Sequence, residues 1–227
     1  MIAQYFSYLG DASNPPDMML RGGDAIEVKK TESRHADLAL NSSYPKAILT
    51  LNHPMLTTHC RSAEDWQQKD MLYVVGHVNK DKLQSLAFVY GVDYAADDAI
   101  YQTIKSRIKQ GVETIEGVEF TETKELGKIK KVDPLGITDL RVRGMWHIQS
   151  PFKVFDYVYQ RDFDNAFNVM VIINEQKWQT LTNTQALKDV IATTPNATLT
   201  DIQIKNPNNP AQLKAAKLIT FFVRGEA

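Results

Sequence analysis

The sequence predicts a sheet domain with helices, α/β or α+β, on three observations. Two apolar runs, "MLYVVGHV" at Met71–Val78 and "LAFVYGV" at Leu86–Val92, have the length and content of buried strands. Shorter runs at Met18–Leu20 and Ala25–Val28 flank Gly22 and Gly23, the pattern of a hairpin. "ADDAIYQTIKSRIKQG", Ala96–Gly111, repeats isoleucine at Ile100, Ile104 and Ile108, with acids in its first turn and a glycine at its end, as a helix does. Strands mixed with a few helices bury their apolar faces by layering.

In chain order, Ala3–Leu9 reads as a strand, and the turn-rich "GDASNPP" leads into the hairpin. A short apolar run, Ala47–Leu51, and a loop through Pro54 precede the two long strands and the helix. From Thr138, "GITDLRVRGMWHI" alternates like a strand, with Asp139, Arg141, Arg143 and Met145 on one face and Leu140, Val142 and Trp146 on the other. A strand at Asn168–Ile173, a helix at Thr184–Ala192 and a last strand at Leu218–Val223 complete the reading. No repeat, low-complexity tract or linker divides the 227 residues, so one domain, 1–227, is expected.

Composition narrows the classes. With 43% hydrophobic and 23% charged residues the chain reads as folded and globular. No apolar run is long enough to span a bilayer and the start lacks a secretory pattern, so no membrane partner and a cytoplasmic location are expected. The single cysteine, Cys60, excludes an internal disulfide, and neither it nor the scattered His35, His53, His59, His77 and His147 has zinc-ligand spacing. Trp66, Trp146 and Trp178 read as packing residues. The net charge of −1 decides nothing about a polyanionic partner, but Lys124–Arg143 gathers six basic residues against three acids.

The hairpin carries the chemistry. On its second strand Glu27 and Lys29 share one face while Ile26 and Val28 point to the other, toward a core. Across the glycine turn, Asp17 is brought beside Glu27. Two adjacent carboxylates repel, and the natural occupant between them is a hard divalent cation, Mg²⁺ by preference, which keeps several of its waters. The matching substrate is a phosphodiester, with Lys29 orienting the attacking water and stabilising the added negative charge. The alternative is a surface hairpin whose Glu27 and Lys29 are solvated neighbours.

Asp17, Glu27 and Lys29 in this order resemble the PD-(D/E)xK nuclease motif. The longer strings "NPPDMMLRGGDAIEVKK", "LALNSSYPK", "DMLYVVG" and "KKVDPLGITDLRVRGMW" are similar to type II restriction endonucleases of the NgoPII kind, from about Phe6 to Phe155. The resemblance implies an α/β restriction-endonuclease-like core, a mixed sheet flanked by helices. It further implies Asp17 and Glu27 as metal ligands, Lys29 as the catalytic lysine, and double-strand cleavage at a short palindrome, GGCC for this kind, leaving 5′-phosphates. The catalytic core falls at about 1–112, and a recognition and C-terminal part at about 113–227. The sixteen residues before Asp17 contain no obvious helix, the pattern of an N-terminally shortened version, and the usual upstream acid is assigned to no residue.

A palindrome is read most simply by a homodimer. Arg141 and Arg143 suit guanine edges or phosphates; Asn41, Ser42, Ser43 and Lys46 follow the catalytic strand and suit phosphates near the cut; and Lys124, Lys128, Lys130 and Lys131 suit the DNA backbone. The rival readings are a DNA-binding module without turnover and a structure-specific repair or junction nuclease.

Overall fold

Side-chain alternation along the strands decides the layering. The computed structural model describes residues 4–11, 14–34, 36–41, 43–123 and 126–225, with Asn41 described by its backbone alone. The N-terminal part holds strands β1 (Phe6–Leu9), β2 (Met18–Leu20), β3 (Ala25–Thr31), β4 (Leu38–Asn41) and β5 (Ile48–Thr50), then helix α1 (Thr58–Ser62). Next come β6 (Gln68–Asn79), β7 (Lys82–Tyr90), α2 (Gly91–Tyr94) and α3 (Asp98–Glu113). The chain continues through β8 (Glu119–Thr121), β9 (Gly127–Lys130), β10 (Leu140–Val142), β11 (Met145–Ile148) and α4 (Pro151–Val154). It ends in β12 (Asn165–Asn174), α5 (Glu175–Thr180), α6 (Thr184–Thr193), β13 (Ala197–Asn206) and β14 (Asn209–Arg224).

Among the described residues, nine strands form one mixed sheet in the order β1-β2-β3-β6-β7-β12-β14-β13, with β5 pairing the start of β6. β3 runs parallel to β6, β7 runs parallel to β12, and the other neighbours are antiparallel. Odd-numbered Met71, Tyr73, Val75, Ala87 and Val89 enter the larger core with Met170, Ile172 and Leu218, while Tyr90, Ile173 and Ile219 enter a second core on the opposite face. There Trp178 of α5 and Leu187 and Ile191 of α6 pack against them. The fold is therefore α/β, a large mixed sheet flanked by helices.

Three expectations are modified. The strand expected from Thr138 divides: β10 pairs with β9, then the chain passes Arg143 and Gly144 and β11 pairs with β4. At Gly144 a Cβ would stand 3.0 Å from the Leu126 side chain, so there is little room for a side chain where the pairing partner changes. The face of β3 turned toward the larger core is that of Ala25; on the opposite face Ile26 is buried as expected, but Val28 is exposed. Ile100, Ile104 and Ile108 lie on α3 as the period predicts, yet all three are exposed, and no residue of α3 is buried.

Candidate active site

The hairpin is fixed before any side chain of the site is placed. Gly22 adopts φ +63°, which suits glycine at a turn. The Gly22 N–H donates to Glu64 Oε2 at 2.9 Å, and the buried Lys69 ammonium donates to the Gly23 carbonyl at 2.6 Å while pairing with Glu64 at 2.5 Å. At the other end the Gly10 N–H donates to the Asp17 carbonyl at 2.7 Å. A Cβ at Gly10 would stand 2.5 Å from the Pro16 carbonyl oxygen, so this approach requires glycine.

The β2–β3 register pairs Met18 with Ile26, and its continuation by one residue sets Asp17 opposite Glu27. Asp17 Oδ2 accepts a hydrogen bond from the Val28 N–H at 2.6 Å. Lys29 Nζ lies 2.5 Å from Glu27 Oε1. Glu27 Oε2 is buried and has no hydrogen-bond partner. Burial pushes the Glu27 carboxyl above its ordinary pKa and the charge of Asp17 adds to this, while Lys29 opposes it. The parallel register sets Glu27 beside Tyr73 of β6, which explains the desolvation.

A small cavity at Glu27, lined also by Pro15, Met71 and Tyr73, shares Ser43, Tyr44, Lys46 and His53 with a larger cavity of about 230 Å³. The larger one is walled by α3 through Asp98, Gln102 and Lys105, and by Leu126 and Trp146. The cleft therefore runs from Glu27 to α3.

Lys46 is buried rather than offered to solvent: its ammonium lies 3.0 Å from Asp98 Oδ2 and 3.4 Å from the centre of the Tyr44 ring. Desolvation lowers its pKa, and Asp98 works against that. Its backbone is clamped by the Tyr73 hydroxyl, which accepts from Lys46 N at 2.7 Å and donates to Lys46 O at 3.2 Å. Burial and the nearby Lys46 charge push His53 down to about 4, so it stays neutral near pH 7. Tyr44 stacks on Tyr101 at 4.9 Å, and Trp146 meets both rings edge-on.

Ser43 and Lys46 thus share the cleft with Glu27. Asn41 lies in β4 opposite Met145, and Ser42, Lys124 and His35 lie outside the described residues. Lys130 ends β9, and Lys131 follows it and pairs with Glu119. Arg141 lies in β10 opposite Lys128, and Arg143 in the link beyond, so the two arginines do not share one strand. None of these four basic residues lines the cleft. Sequence reading missed Tyr44, His53, Asp98 and Trp146 as cleft residues. Asp98 was visible only as a helix-start acid, and no spacing links His53 or Trp146 to Glu27.

Among the described residues, no group of three or more His, Cys, Asp or Glu side chains is placed to hold a metal. The available set is the Asp17 and Glu27 carboxylates. An unpartnered, buried carboxylate oxygen beside a second carboxylate fits a hard cation that retains waters.

The chain matches the model of the NgoPII restriction endonuclease family over residues 1–205. It is 55% identical over 220 residues, 96% of this chain and 78% of the relative, to the type II restriction enzyme NgoPII of Neisseria gonorrhoeae. No solved structure matches it.

Proposed function

The chain belongs to the NgoPII restriction endonuclease family, and we propose that it hydrolyses both strands of duplex DNA at a short palindrome, with Asp17, Glu27 and Lys29 at the reaction centre. The observation that supports this most is Glu27: one oxygen is held by Lys29, and the other is buried without a partner next to Asp17. A structural ion pair needs no such orphan, because a buried unsatisfied oxygen costs stability.

Asp17 and Glu27 would hold Mg²⁺, which when bound polarises phosphoryl oxygens and helps generate hydroxide. Asp17 is oriented by the Val28 N–H, which leaves its other oxygen for a ligand. Lys29 donates one N–H to Glu27, and its other two can orient the attacking water and meet the negative charge developing on the phosphoryl group. Departure of the 3′-oxygen as it takes up a proton gives a 5′-phosphate and a 3′-hydroxyl. GGCC as the site rests on the family resemblance. The same reading locates the enzyme in the cytoplasm, where it meets DNA.

A palindrome calls for a two-fold homodimer, and α3 offers a self-complementary face. Ile100, Ile104 and Ile108 form an exposed apolar stripe, with Asp97 before its start and Arg107 near its end. Antiparallel pairing about Ile104 sets Ile100 of one copy against Ile108 of the other and brings each Asp97 within a turn of an Arg107. The opposite side of α3 walls the cleft, so the two clefts would flank the axis.

Plasmid DNA incubated with the protein and Mg²⁺, followed by sequencing of the ends, tests the reading. Discrete fragments whose 5′-phosphorylated ends share one palindrome are expected. Intact plasmid with retained binding would make the chain a DNA-binding module, and cleavage confined to branched DNA would make it a junction nuclease.

A further inference from the structure

Among the described residues, the two most exposed large apolar side chains are Leu135, 81% exposed, and Ile137, 79% exposed. They sit together on the turn that joins β9 to β10, in a three-stranded sheet β10-β9-β8 apart from the main one. The turn is built to hold its shape. The Asp133 carboxylate accepts from the Leu135 N–H at 3.0 Å and the Thr138 N–H at 2.6 Å. The Val132 N–H donates to the Thr138 carbonyl at 3.0 Å, and the Gly136 N–H donates to the Asp133 carbonyl at 2.8 Å. Gly136 takes φ +68°, as such a corner needs.

The charges around this tip are net basic. Between Gly127 and Arg143 stand Lys128, Lys130, Lys131, Arg141 and Arg143 against Asp133 and Asp139. Asp133 is committed to the turn, Asp139 to Lys128 at 2.6 Å, and Glu119 of β8 to Lys131, which leaves the sheet with a net positive charge. A second copy seated tip to tip would bring like charges together, which disfavours self-pairing. An apolar tip with cationic shoulders matches a nucleic-acid groove, where bases lie between two rows of phosphates. The sheet is also joined to the cleft, because Leu126, just before β9, lines it with Lys46 and Trp146.

We propose that this turn is a wedge that enters a groove of duplex DNA, setting Leu135 and Ile137 against the bases and the basic shoulders against phosphates. The inference deepens the nuclease reading and rests on it. Apolar side chains used in this way partly unstack a base step and bend the duplex, adding recognition at positions that no hydrogen bond reads.

Cys60 is the only cysteine of the chain and is buried, so Leu135→Cys can be labelled selectively with an environment-sensitive dye. The labelled protein is titrated, without metal, with a 40-base-pair duplex whose anisotropy reports binding independently, and separately with unlabelled protein. The wedge predicts a blue shift on adding duplex and none on adding unlabelled protein. It also predicts that Leu135→Ser/Ile137→Ser binds the duplex about tenfold or more weakly at unchanged Tm. A bound duplex with an unmoved dye, or a shift produced by unlabelled protein alone, overturns the wedge and leaves the nuclease reading standing. If no duplex binds at all, both fall.

Discussion

Asp17 Oδ2 accepts a hydrogen bond from the backbone N–H of Val28, 2.6 Å away, on the strand residue between Glu27 and Lys29. This bond ties the entry of β2 to the part of β3 that carries the chemistry. Asp17 therefore has a structural task, as an acceptor, and a chemical one, as an anion. Asp17→Asn keeps the acceptor and loses the charge, whereas Asp17→Ala loses both. We predict that cleavage collapses in both variants, while thermal denaturation shows a loss of about 1 kcal/mol for the alanine variant only.

Glu27 links pH to stability with a definite sign. Its native pKa is raised above the ordinary 4.5, so the native state holds the proton more tightly than the unfolded state does. The stability this group contributes is fully present below pH 4.5 and is lost as pH rises through the raised native value. Metal-free Glu27→Gln should therefore melt above the wild type at pH 7 to 8 and at nearly the same temperature at pH 4. On the proposal that Glu27 helps to hold Mg²⁺, the ion competes with that proton, and apparent Mg²⁺ affinity in calorimetry should weaken on acidification at a pH above the ordinary glutamate range. A wild type that melts higher than Glu27→Gln at neutral pH would mean that Glu27 is a satisfied structural carboxylate.

Lys46 acts as a positioning residue. Its ammonium is buried on Tyr44 and paired with Asp98, a bond that joins the segment after β4 to the first turn of α3. Asp98→Asn leaves a buried cation poorly paired, and since Asp98 itself is exposed we expect a modest cost, about 1–2 kcal/mol. Adding Lys46→Met should recover most of it. A double-mutant cycle by denaturant unfolding measures the coupling, which should be near zero if the pair is incidental.

For the dimer proposed through the exposed stripe of α3, Ile104→Glu should give a monomer in sedimentation velocity with the fold retained by circular dichroism, because the side chain is exposed within one chain. Cleavage by the monomer should shift from double-strand breaks to nicks or disappear. An unchanged sedimentation coefficient would contradict a dimer built on this stripe.

How much of this was legible in the sequence depended on range. The hairpin was local, so Met18–Leu20 and the start of β3 emerged where turn chemistry and alternation put them, and β6 and β7 declared themselves by apolar content. The helix pattern found α3 and its isoleucine stripe but not the side that docks. Periodicity locates an apolar stripe, whereas docking here runs through Tyr101, Gln102 and Asp98. The pairing of β4 with β11 spans about a hundred residues and leaves no mark in either segment, so Trp146 read as generic packing although it lines the cleft. The division of the strand after Thr138 was hidden for the same reason, since alternation continues across Gly144 while the pairing partner changes.

In the proposed reaction the glycine hairpin sets a lysine and two carboxylates around one scissile phosphate. Single-turnover cleavage of a short duplex by Lys29→Ala, with binding of the same duplex measured in parallel, tests it most directly. The expected rate is lower by at least about 10²-fold, the scale of a positioned proton-transfer or charge-stabilising group, with affinity within a few-fold of wild type. Cleavage within a few-fold of the wild-type rate would contradict it and move the reaction centre away from Glu27.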